Sequence, residues 1–158
     1  MHSFPLLAAT FLAVATSAAE PPPCHGRISG AVNGGFECVV TLKEVGEGMA
    51  LFDVQPTAPV EGVPSFAAGS FQVPLPVEVR TYTLDALGQG RASLIDADGT
   101  LYSATKTTRQ RGEVTIVLTS VKRDTKVPGT WVIHGSYRAR LVPAGSASRS
   151  EVQLDVKF

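Results

Sequence analysis

The sequence predicts an all-β, antiparallel domain, and three observations carry that prediction. Apolar and polar residues alternate with a period of two in segment after segment. Turn-forming residues interrupt those segments at short spacing, and connections that short join antiparallel strands. No stretch has the 3.6-residue periodicity of a helix; the charged segments Lys43–Glu47 and Lys122–Lys126 are short and broken by Gly or Asp. Roughly eight to ten strands are expected. Strands with one apolar face suit either two packed sheets or a closed barrel. The first expectation is an antiparallel β-sandwich of Greek-key, Ig-like or jelly-roll type, because a long proline-rich connection resembles a sheet-to-sheet crossover and strand lengths are uneven. A small β-barrel is the alternative.

The chain opens MHSFPLLAATFLAVATSAAE. An apolar run from Phe4 to Ala15 leads to Ser17 and Ala19 in the −3 and −1 places before Glu20, the pattern of a secretory signal peptide. Met1, His2 and Ser3 depart from that pattern by carrying no Lys or Arg. The run is too short to span a bilayer, which takes roughly 20 apolar residues. Residues 1–19 are therefore read as a removed signal peptide and 20–158 as a single domain of 139 residues (158 − 19). The expected location is secreted or periplasmic, with no transmembrane helix.

The stretch CHGRISGAVNGGFEC, 24 to 38, holds both cysteines. In an exported chain a disulfide between Cys24 and Cys38 is favoured over two free thiols. Metal binding is not, because His25 and Cys24 point to opposite faces of an extended segment and no zinc-ligand spacing is present. A three-residue turn at Asn33-Gly34-Gly35 would set Val32 opposite Phe36, Gly30 opposite Cys38 and Ile28 opposite Val40, uniting the apolar side chains. In that register Cys24 lies level with Glu44, roughly 20 Å from Cys38. A disulfide needs Cα atoms within about 7 Å. Residues 24–26 are thus expected to leave the ladder and fold back across the sheet.

Residues 55–76, QPTAPVEGVPSFAAGSFQVPLP, hold five prolines and alternate poorly. They are expected to cross between sheets, with an edge strand near Ser70–Val73 where proline is tolerated, pinned by Phe66 and Phe71. Asp98-Gly99 predicts a hairpin between strands at 91–96 and 100–106. Asp96 and Asp98 resemble the start of a calcium loop, but Thr100, Leu101 and Tyr102 follow, and a tight turn explains the same letters. Strands follow at 113–121, where Val114, Ile116 and Leu118 share one face, and at 130–142. The latter sets Trp131, Ile133, Tyr137, Ala139 and Leu141 against His134, Ser136, Arg138 and Arg140. The last strand places Val152, Leu154, Val156 and Phe158 inward. A terminal aromatic of this kind also suits an outer-membrane barrel, which would need longer strands and aromatic girdles throughout.

Net charge is zero, yet residues 20–100 hold ten acids and four bases (4 − 10 = −6) and residues 101–158 four acids and ten bases (10 − 4 = +6). The plainer account is that the halves neutralise each other within one fold. The loops carrying Lys106, Arg109 and Arg111 and carrying Lys122, Arg123 and Lys126 lie at opposite ends of one strand, so they make no single basic patch. No exposed aromatic platform accompanies Arg138 and Arg140, which speaks against nucleic acid.

No G-x-S-x-G elbow and no metal-ligand motif occurs, and His134 with Ser136 lacks an orienting acid nearby in sequence. The expectation is a non-catalytic binding or envelope-associated module without cofactor or metal. Its candidate ligand-binding residues are His134, Arg138 and Arg140. The partner classes open to it are another envelope or extracellular protein or a glycan. The alternative role is a lipocalin-like carrier of an apolar ligand, lined by Trp131, Tyr137, Phe66 and Phe71.

Overall fold

The structure, a computed structural model, describes residues 23–106, 111–145 and 150–158. The expected signal peptide lies outside them. Ten strands follow in order: β1 (Cys24–Gly30), β2 (Gly34–Gly46), β3 (Met49–Pro56), β4 (Ser65–Pro74), β5 (Thr81–Thr83), β6 (Gly90–Ile95), β7 (Leu101–Thr105), β8 (Glu113–Arg123), β9 (Trp131–Pro143) and β10 (Val152–Lys157). All their pairings are antiparallel, as the short connections predict. Of the two architectures, the pairing describes the small barrel and not the two-sheet sandwich. Strands β1, β2, β3, β4, β6, β7, β9 and β10 form a ring, closed where β9 pairs with both β7 and β10. β8 and then β5 branch from β9 and extend the wall. An apolar face looks the same whether its sheet packs on a second sheet or curls onto itself, so alternation does not separate the two.

β1 starts directly after Pro21-Pro22-Pro23, residues with no backbone N–H to give a ladder. Its register corrects the expected one. Cys24 is opposite Cys38, His25 opposite Glu37 and Ile28 opposite Gly34, leaving residues 29–33 as the turn. The disulfide therefore forms inside the ladder, with Cα atoms 4.9 Å apart, and residues 24–26 do not fold back. β10 imposes this register by holding the other edge of β1 from His25 opposite Lys157 to Gly30 opposite Val152. Residues 29 and 30 thus stay in the wall instead of pairing with β2. Phe36 then falls opposite Gly26, and its ring lies where a Cβ on residue 26 would be.

The segment expected as a sheet crossover is instead the β3–β4 hairpin, with Ala50 opposite Val73 and Val54 opposite Gly69. β4 is no edge strand, since it pairs with β6 as well. Pro56, Pro59, Pro64, Pro74 and Pro76 fall at strand ends or in the connection, where no interior ladder donor is lost. A bulge between Ala67 and Ser70 buries both Ala68 and Gly69. The Tyr137 hydroxyl donates to the Ala68 carbonyl at 2.7 Å. It lies so close that a Cβ on Gly69 would collide with it.

Side chains cross the interior. The Tyr137 ring, from β9, stands 5.8 Å from Phe52 on β3, a strand four places away around the ring in either direction. Phe71 lies 6.3 Å from Tyr137, and Phe158 lies 5.7 Å from Phe52. An eight-stranded barrel encloses about the volume its inward side chains fill. The inward residues expected on the last three long strands are buried, from Val114 to Phe158. The C-terminal residue closes the wall: Phe158 and Gly135 exchange backbone hydrogen bonds of 3.1 and 2.7 Å.

Candidate functional site

The three residues singled out in sequence lie on the outer face of β9, but the structure groups only two of them. Register across the wall builds parallel rows. One runs Thr115, Arg138, Asp155, Arg27, Gly35 from β8 to β2, and the next runs Glu113, Arg140, Gln153, Ser29. Between β8, β9 and β10 these rows form a shallow trough of about 210 Å³ bordered by Thr115, Arg138, Arg140, Gln153 and Asp155. His134 is opposite Ser120, beyond the last residue that β10 pairs, and does not line the trough. It is exposed, and its carbonyl accepts a hydrogen bond from the Thr119 hydroxyl at 3.1 Å.

Neither arginine is a bare charge. Arg140 bonds Glu151 at 2.6 Å and Glu113 at 3.1 Å, with its side chain 34% exposed. The hydrogen bond that Arg140 donates to Glu113 is the largest influence on its guanidinium; with Glu151 it raises the pKa, against a lowering by partial desolvation. Arg138 is 76% exposed and pairs with Asp155, its Nε 2.8 Å from the carboxylate. Arg27, directly across from Asp155, has no ion pair among those residues, and neither has Lys157 two positions along β10.

Other candidates are structural. The Asp96 carboxylate accepts the Asp98 and Thr100 amides at 3.0 and 2.8 Å and the Tyr102 hydroxyl at 3.2 Å, so the turn occupies it. Lys106 donates to the carbonyls of Asp85 and Leu87, and Arg111 pairs with Asp85. Arg109 lies outside the described residues. Arg123 stacks over Trp131 at 4.5 Å and reaches Glu44 at 3.5 Å. The pairs Arg111–Asp85 and Arg123–Glu44 join the basic half of the chain to the acidic half. Of the aromatics expected to line a cavity, Tyr137 and Phe71 are fully buried in the core, Trp131 nearly so, and Phe66 packs edge-on against Phe36 at 4.9 Å. A second, apolar groove of about 350 Å³ lies on the β3–β4 connection between Pro56 and Phe66.

Sequence inspection missed Arg27, Glu113, Glu151 and Asp155. Glu113, Glu151 and Asp155 meet β9, and Arg27 meets Asp155, only once the strands pair, and their separations in sequence give no local signal. No family model, curated protein or solved structure matches this chain.

Proposed function

We propose that this chain is an exported, non-catalytic binding or envelope-associated module that acts through the outer face of its barrel. The observation that carries this reading is the contact of Tyr137 with Phe52 on the opposite wall: side chains occupy the space a carrier would give its ligand. A drug-sized ligand takes a pocket of roughly 300 Å³ or more, largely enclosed. The trough holding Arg138 and Arg140 is the polar surface assigned to contact, with His134 at its margin. Export is supported by the leader-like first 19 residues and by a disulfide that suits an oxidising compartment. A membrane-spanning barrel is disfavoured because Arg27, Glu37, Arg138 and Asp155 point outward in mid-wall. A cation facing lipid at the bilayer centre costs roughly 2–4 kcal/mol.

Titration of the purified exported chain with a fluorescent fatty acid tests the reading. No saturable binding and no quenching of Trp131 are expected. One-to-one binding would make the chain a carrier and overturn it.

A further inference from the structure

We infer that the outer face of β9, β10 and β1 binds an acidic polysaccharide. This rests on the outer face being the contact surface and specifies what it contacts. Three cations, Arg27, Arg138 and Lys157, surround one carboxylate, Asp155: the two arginines directly opposite it on either side, the lysine two residues along its own strand. Within this quartet the surplus is two positive charges (3 − 1); the adjoining Arg140 is held between Glu113 and Glu151, and Glu37 stands opposite His25 on the neighbouring strand. Asp155 contacts Arg138 at Nε, and the Arg138 side chain stays 76% exposed, open to a planar sulfate or carboxylate.

Placement decides what kind of anion fits. Neighbouring strands lie about 4.8 Å apart, so the Arg27 and Arg138 backbones are about 10 Å apart with Asp155 midway. That midpoint repels an anion, so a single small ion cannot sit between the guanidiniums. A ligand must place separate negative groups on the far flank of each, as a chain with repeated charges does. Beside Arg138, the trough of about 210 Å³ offers the Thr115 hydroxyl and the Gln153 amide to neutral hydroxyls, next to the Glu113 carboxylate that Arg140 holds. Membrane docking is the weaker match, since two surplus cations attract an anionic bilayer only modestly. The exposed large apolar residues Val45, Val79, Leu101 and Val127 lie on none of these three strands.

The test compares retention of the folded chain on dextran sulfate, on neutral dextran and on phosphatidylglycerol vesicles. Binding to dextran sulfate alone is expected, weakening as salt rises. Arg27→Gln and Arg138→Gln should each weaken it about three- to fivefold, the size of one exposed ionic contact. Asp155→Asn is the discriminating variant: it keeps the side chain's size while removing the competing charge, so affinity should rise. Unchanged or weaker binding by that variant overturns the proposal, as does retention on vesicles alone or equally on neutral dextran. If dextran sulfate fails but Arg138→Glu with Arg140→Glu still releases the chain from its envelope fraction, only the anionic ligand is wrong. If that release fails too, the outer-face reading falls with it.

Discussion

The Tyr137 hydroxyl donates a 2.7 Å hydrogen bond to the Ala68 carbonyl, tying β9 to β4 through the barrel interior. The bond exists because the bulge at Ala68 and Gly69 interrupts the β4–β6 register, and a buried carbonyl without a ladder partner needs another donor. Tyr137→Phe keeps the ring and removes that donor. It should cost about 1–3 kcal/mol, the penalty for an unsatisfied buried acceptor. Chemical denaturation with the slope held constant measures it; a change below a few tenths would show that the bond stabilises nothing.

The same phenol gives stability an alkaline limit. Burial pushes the Tyr137 pKa well above its ordinary value. The unfolded chain ionises this tyrosine near pH 10 while the folded chain keeps it protonated. With the folded pKa raised, its contribution is complete below about pH 10 and declines as pH rises further. Tyr137→Phe should therefore lose stability less steeply above that pH than the parent chain. Parallel slopes in urea melts would contradict it.

Gly26 and Phe36 form a coupled pair, since the ring occupies the place of a Cβ. Gly26→Ala should destabilise by about 1–3 kcal/mol, as overpacked cores do. In a double-mutant cycle Phe36→Ala should relieve much of that loss, giving a coupling of about 1 kcal/mol or more. Strict additivity would mean that the two positions do not interact.

Cys24 and Cys38 close a loop with a sequence separation of 14. Replacing both by serine, or reducing the chain, should lower stability by about 3 kcal/mol in the chain-entropy account. Because β10 also holds β1, the reduced chain should still fold. Loss of β structure by circular dichroism at ordinary temperature would show that the ladder alone cannot position β1.

Phe158 is buried against Phe52 and bonds Gly135 through its own backbone. Phe158→Ala should cost about 3 kcal/mol through the cavity it leaves. Deleting the residue should cost more, because both Gly135 bonds go as well. Equal melting temperatures for the two variants would assign the whole effect to the ring.

Alternation alone identified the class and the inward residues of β8, β9 and β10, because which face a side chain takes depends only on parity along its strand. Asp98-Gly99 marked the β6–β7 hairpin, and export logic marked the cysteine pair. Register and closure were decided elsewhere. Moving the partner of Cys38 from Gly30 to Cys24 slides β1 by six residues, an even number, and leaves every apolar side chain facing inward. Nothing in the local pattern distinguishes those registers; β10, over a hundred residues away in sequence, does. The candidate face divides in the same way. Arg138 and Arg140 were legible as neighbours on one strand. Asp155, Arg27 and Glu113 join them only when the wall is assembled, since cross-strand neighbours are set by nonlocal pairing that a single strand does not encode.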